Sequence, residues 1–168
     1  MVEDWNPIAA ALRGENSKVM ARMQTGFAVI GDTQFLPGYS LLLADDPALD
    51  HPTDLPRARR RDFFFDLSLL GEAVFAATRG SGAWRINYEV LGNGWPHLHG
   101  HVHPRYTWEP KERITGPIWQ YPKDVRDAPM ATYDEDRHAA IRAAVTAELR
   151  RVMNEAYAEL RLDPPPAG

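Results

Sequence analysis

Cysteine is absent from this chain of 168 residues. That excludes a disulfide framework, a thiolate metal site and a thiol nucleophile, and it fits a reducing, cytoplasmic setting, which is the localisation we expect. Long apolar runs are missing too. No stretch approaches the roughly 18 apolar residues of a membrane span, so no membrane partner is expected. The opening "MVEDWNPIAAALRGENSK" lacks the basic and apolar regions of a secretory signal. A surplus of positive charge is also missing. Lys and Arg total 19 against 23 Asp and Glu, a net charge of −4 with His neutral, so no global basic field exists to hold nucleic acid. There is no internal repeat and no low-complexity block. Length and composition suit a single domain over 1–168 with one core.

Histidine is scarce as well, yet four of the six fall in "HLHGHVHPR", residues 97–105. They occupy every second position. In a strand, alternate side chains share a face, so His97, His99, His101 and His103 point one way and Leu98, Gly100 and Val102 the other. The second set is small and apolar, which suits packing against a helix, and Gly100 implies a close approach to the backbone. In a helix each two-residue step would turn the rings by about 200 degrees, so the spacing argues for a strand. Three uses of such a row stand open: a reactive surface, a metal site of imidazoles for zinc, copper or nickel, and a solvated polar strand face. Crowding makes simultaneous protonation unfavourable, so some rings should be neutral near pH 7. A neutral imidazole whose tautomer is fixed serves as a nucleophile or a proton shuttle.

The remaining elements follow from periodicity. Residues 7–23 read as an amphipathic helix on Ile8, Leu12, Val19 and Met23, with Pro7 in its first turn and Gly14 weakening its middle. "FAVI" and "YSLLLA" read as a hairpin, with strands near 26–31 and 38–44 around the turn signal "PG". "DDPALDHPTDLP" is a proline-rich loop. A helix is expected over about 55–79, capped by Asp54, with Phe64, Leu67, Ala73, Val74 and Ala77 on its apolar face. "AWRINYEV" reads as a third strand and 97–106 as a fourth. Residues 104–132 are irregular and rich in proline and aromatics. A last helix is expected over 134–161, opened by the acidic "DED", and 162–168 form a tail.

"HLHGHVHPR" resembles the signature of the histidine triad superfamily: His-x-His-x-His, two apolar residues, and often Pro-Arg. Reading back from the Pro-Arg pair, His97, His99 and His101 fall on the triad positions. "FAVIGDTQFLPGYSLLL" resembles that family's first hairpin, and "INYEVLGNGWPHLH" the strand and loop that lead into the triad. The likeness spans about 24–106. It implies an α+β fold, with an antiparallel sheet of about five strands and helices packed on one side. It also implies a nucleotide hydrolase or nucleotidyltransferase that cleaves at the α-phosphate, with substrates such as diadenosine polyphosphates or nucleoside phosphoramidates. His99 would be the nucleophile that forms a nucleotidyl-histidine, with its second nitrogen held by the carbonyl of His97. His101 would contact the phosphate and assist the leaving group. Asn93 falls where the family usually has Gln, Asn87 on the Asn of the preceding strand, and Asp32 near a ribose-binding position. His103 joins them as an extra imidazole beside the nucleotide. No cofactor is implied, the partner is the nucleotide substrate, and a homodimer is expected. The sequence departs from the pattern at Tyr39, often His in the family, at Asn93 and at His103, often Leu or Ile.

Other features have plainer explanations. Tyr39 suits a half-buried strand aromatic. "RARRR" at 57–61 suits an exposed helix start, and Trp108, Trp119 and Tyr121 suit packing as well as base stacking. A non-catalytic nucleotide-binding module remains an alternative to the enzyme.

Overall fold

The computed structural model describes residues 6–166. The first five residues of the segment read for a signal, and the last two of the 162–168 tail, lie outside the described residues.

Helix α1 covers Pro7–Leu12. The Asn6 side chain accepts hydrogen bonds from the backbone N–H of Ile8 and Ala9, and Pro7 opens the first turn. The helix does not continue to residue 23. Gly14 takes φ +70°, a left-handed conformation open to glycine. The Asn16 carboxamide then accepts from the Lys18 N–H and donates to the Pro7 carbonyl. That turn reverses the chain into strand β1, Val19–Arg22. The apolar spacing that reads as one helix is split between a short helix and a strand, because turn chemistry at Gly14 and Asn16 outweighs it.

Strands β2 (Gly26–Ile30) and β3 (Ser40–Ala44) form the expected hairpin. Gln34 closes its long connection. Its amide donates to the carbonyls of Gly31 and Tyr39 and its oxygen accepts from the Gly38 N–H. Helix α2 (Arg57–Thr78) follows, then β4 (Ala83–Glu89) and β5 (His99–Tyr106). The sheet has five strands in the order β1-β2-β3-β5-β4, each neighbouring pair antiparallel. Short helices α3 (Lys111–Ile114) and α4 (Lys123–Arg126) organise the proline-rich segment before helix α5, Glu135–Leu160.

Two local expectations change. Asp54 does not cap α2. Its carboxylate accepts from the N–H groups of Asp50 and His51 in a short turn before the helix, and Pro56 precedes α2 without a side-chain cap. The buried stripe of α2 runs through Phe63, Leu67, Leu70 and Val74, whereas Phe64 is exposed. The spacing 4, 3, 4 from Phe63 keeps one face, and Phe64 lies about 100 degrees around from it.

Helices α2 and α5 cover one face of the sheet. Their core includes Leu42, Leu98 and Val102 from the sheet with Phe63, Leu67, Leu70, Val145 and Leu149 from the helices. Gly100 lies where α2 comes closest: a Cβ there would stand 2.6 Å from a methyl of Leu67. The opposite face carries the histidines. Strand pairing sets Leu43 beside His99 and Leu41 beside His101, then Phe27 beside Leu43 and Val29 beside Leu41. Ile8 and Ala11 of α1 roof this second apolar row.

Candidate functional site

β5 is buried along its whole length and flanked by β3 and β4. His99, His101 and His103 therefore emerge from a central strand, on the face away from α2 and α5. Their rings form a contiguous row, with centroids 4.7 Å apart for His99–His101 and 5.7 Å for His101–His103. His97 lies just before the strand. Its Nδ1 is 3.0 Å from the Pro47 carbonyl, and its own carbonyl is 2.6 Å from His99 Nδ1. A carbonyl can only accept, so His99 Nδ1 carries the proton and His99 Nε2 presents a lone pair.

His99, His101 and His103 are all shifted toward the neutral form. Burial lowers the pKa of His99, with the charge of His97 acting the same way and the His97 carbonyl opposing. Burial, followed by the neighbouring His99 and His103, pushes His101 down to about 3. Burial also lowers His103, against the pull of Glu89. Desolvation disfavours the charged ring in each case.

The pairing of β4 with β5 sets Glu89 opposite His101, Asn87 opposite His103 and Arg85 opposite Arg105. Directly opposed residues share a face, so three polar β4 side chains lie on the histidine face of the sheet. Asn87 does not reach the rings; its Oδ1 accepts from Arg105 Nη1 at 2.9 Å. His103 Nε2 stands 3.5 Å from Glu89 Oε2. That separation is too long for a well-formed hydrogen bond, and among the described residues both His103 nitrogens and that Glu89 oxygen are otherwise unpartnered. Burial raises the Glu89 pKa, yet His103 and His101 together hold it below its ordinary value.

Asp32 and Asn93 stand outside the cluster. Asp32 is exposed and paired with Lys18, and Asn93 is exposed in the loop before β5 with no side-chain hydrogen bond among the described residues. The structure instead adds residues that periodicity did not single out. Tyr39 Oη lies 2.7 Å from His101 Nδ1, and its ring stacks on His103 at 4.3 Å. Trp95 lies against His97 and His99, and Trp119 meets His101 and His103 with its ring plane nearly perpendicular to theirs. The alternation Arg85, Asn87, Glu89 carries a period-2 signal that could have marked Glu89. Tyr39 and Trp119 carry no such signal, because their approach depends on chain packing.

The Pro-Arg pair also gains a physical role. Arg105 is fully buried, and its guanidinium donates to both oxygens of Glu109, to Asn87 and to the carbonyls of Arg113 and Gly116. Glu109 in turn accepts from the Tyr106 N–H and the Tyr121 hydroxyl. This knot fixes the segment that brings Trp119 over the histidines. An open cleft of about 640 Å³ lies between β4 and residues 114–117, lined by Arg85, Asn87, Glu89 and Arg105. It borders the imidazole row without covering it.

No protein-family model and no curated protein matches the sequence. Solved structures do. A histidine triad protein from Marinobacter aquaeolei VT8 superposes with a TM-score of 0.64 at 22% identity, over 80% of this chain and 89% of that one. A hypothetical histidine triad nucleotide-binding protein from Sulfolobus tokodaii gives a TM-score of 0.64 at 12% identity, over 89% and 94%. A zinc-bound histidine triad family protein from Mycobacterium smegmatis gives 0.55 at 16% identity, over 88% and 96%. Sheet order, the central histidine strand and these superpositions agree: the protein has the histidine triad fold.

Proposed function

We propose that this protein binds nucleotides and is a hydrolase or nucleotidyltransferase acting at the α-phosphate, through a nucleotidyl intermediate on His99. The observation that carries the reading is the 2.6 Å contact of His99 Nδ1 with the His97 carbonyl. It leaves Nε2 uncharged and free to attack phosphorus, which is what covalent catalysis asks of an imidazole. In the first displacement the Nε2–P bond forms and the bond to the leaving group breaks. In the second, water or another acceptor takes the nucleotidyl group. His101 lies beside the nucleophile, placed to contact the phosphate. His97 supplies the carbonyl that orients His99. Diadenosine polyphosphates and nucleoside phosphoramidates are the substrate classes we favour. Asn93 and Asp32 are proposed to engage the nucleotide from the site's margin, and Asn87 to act through Arg105.

The test is mass spectrometry after rapid quenching with a diadenosine polyphosphate or AMP phosphoramidate. A nucleotidyl adduct on the peptide containing His99 is expected. His99→Ala should abolish the adduct and lower turnover by at least about 10⁴-fold, while nucleotide binding persists. Binding without adduct or turnover in the wild-type protein would instead identify a binding module.

The Mycobacterium smegmatis neighbour is zinc-bound, which keeps a metal reading in view. Among the described residues no three His, Asp or Glu side chains are placed to hold an ion, so the donors do not fit zinc in this arrangement, and elemental analysis of purified protein checks it. We also propose a homodimer. Among the described residues the outer side of β4 is an unpaired edge carrying exposed Trp84 and Tyr88, a surface that edge strands commonly hide; sedimentation equilibrium decides between one copy and two. Among the described residues no helix is long and apolar enough to cross a membrane, and the lack of cysteine supports a cytoplasmic location.

A further inference from the structure

We infer that Tyr39 is a positioning residue that fixes His101 with its proton on Nε2, so that the site presents a bare Nε2 on His99 beside an Nε2–H donor on His101. The inference rests on the nucleotidyl-transfer reading for its purpose and on the protein's own geometry for its substance.

Tyr39 Oη is 2.7 Å from His101 Nδ1, and the two rings are within 9° of parallel. At that distance the hydroxyl is within hydrogen-bonding reach of the Nδ1 lone pair. The phenol is buried and has no other hydrogen-bond partner among the described residues. A buried hydroxyl proton needs an acceptor, and Nδ1 is the acceptor within reach. Were Nδ1 to carry a proton, the two groups would compete as donors and the phenolic hydrogen would be left unsatisfied. Burial, with the charges of Asp32 and Glu89, keeps the phenol protonated. Hydroxyl and ring protons follow from this accounting of partners.

The ring of Tyr39 cannot easily move away. It stacks on His103 at 4.3 Å and 4°. On another side stands Gly31, where a Cβ would lie 2.2 Å from Tyr39 Cδ1. The Tyr39 carbonyl accepts from the Gly31 N–H and the Gln34 amide, both at 2.9 Å. Two departures from the family pattern, Tyr39 and His103, thus lie in contact: the second is the platform that seats the first. Gly31 matters because only a hydrogen leaves room for the phenol.

The consequence is a division of labour by tautomer. His99 Nε2 forms the bond to phosphorus while the bond from phosphorus to the leaving oxygen breaks, and the electron pair departs with that oxygen. His101 Nε2–H stabilises the oxygen by hydrogen bonding, with no proton transfer needed when the leaving group is itself a phosphate. A hydroxyl partner does not support an imidazolium as a carboxylate would. The arrangement therefore fits phosphoanhydrides better than phosphoramidates, whose amine must leave protonated.

Histidine-selective ¹⁵N labelling with long-range proton–nitrogen correlation tests this directly in the unliganded protein. His101 should show an unprotonated Nδ1 and a protonated Nε2, and His99 the reverse. Tyr39→Phe should give His101 a mixture of tautomers, leave His99 unchanged, and slow nucleotidylation from a dinucleoside polyphosphate by roughly 10²-fold with little change in nucleotide affinity. A protonated Nδ1 on wild-type His101, or a Tyr39→Phe spectrum identical to wild type, overturns the inference. The wild-type spectrum alone suffices if the variant does not fold. Because the spectrum needs no turnover, absence of an adduct counts against the proposed reaction and leaves the tautomer assignment standing.

Discussion

His103 occupies the fourth place in the histidine row and has less hydrogen bonding than any reactive role would ask for. Its ring is 1% exposed, yet among the described residues neither nitrogen has a well-formed bond, and Glu89 faces it at 3.5 Å. A polar group in that state contributes little net stability, because its desolvation offsets what its contacts return. His103→Leu should therefore change the unfolding free energy by no more than about 1 kcal/mol. It should also release the Glu89 carboxyl to titrate at higher pH, since His103 is among the groups that hold it down. Urea denaturation and a carbon-detected titration of Glu89 check the two halves. A large loss of stability would mean that the ring's stacking with Tyr39 matters more than its missing hydrogen bonds.

At the scale of elements, the link between β5 and the proline-rich segment is partly electrostatic. Arg105 and Glu109 form a buried pair with side chains 2% and 0% exposed. Both strands of the hairpin and helix α2 can be read from apolar spacing, but residues 107–121 hold to the sheet through this pair together with Ile118 packed against Leu36, Ala83 and Tyr106. Arg105→Met leaves the Glu109 charge buried without its partner, a defect worth about 3–5 kcal/mol. Denaturant unfolding should register that loss, and limited proteolysis should cut first within 107–121. Adding Glu109→Gln should recover part of the stability, because the orphaned charge is then gone. Loosening this segment also withdraws Trp119 from the imidazoles, so activity should fall with it. The Pro-Arg pair is legible in the sequence as a motif. Its reason is not, because Glu109 becomes a partner only when the chain turns back over the end of β5.

For the whole molecule, the buried titratable groups set the response to acid. His99, His101 and His103 all have lowered pKa values in the folded state. Below the ordinary histidine value of about 6.5 the unfolded chain takes up protons that the native state refuses, so stability falls as pH drops, by at most about 1.4 kcal/mol per pH unit for each ring. Asp66 opposes them. Burial raises its carboxyl to about 6, against its bonds to Thr25 and Tyr157. Between about 6 and its ordinary value the native state keeps a proton that the unfolded chain releases, so this group alone adds stability on acidification. Three rings against one carboxyl give a net loss from pH 7 to pH 5, and Asp66→Asn should make that loss steeper. Urea midpoints at the two pH values measure both slopes. A protein equally stable at pH 5 would mean that the imidazoles are not neutral in the folded state.

Period-2 spacing fixes side chains to faces through local backbone geometry alone, so the sequence by itself determined that alternate histidines of 97–103 share one face and that Gly100 meets a helix behind them. It determined the hairpin with its Pro-Gly turn and helix α2 in the same way, because hydrophobic period and turn chemistry act over a few residues. The missing first strand marks the boundary of that logic: Val19 and Met23 fit a helical period, and the reversal at Gly14 and Asn16 overrode it. Tertiary structure decided what each imidazole can do. A ring nitrogen's role depends on its partner, and Tyr39 stands 62 positions from His101 in the chain. Glu89 meets the row through the register of β4 on β5, and that register follows from the burial of whole strands and not from any short stretch of residues.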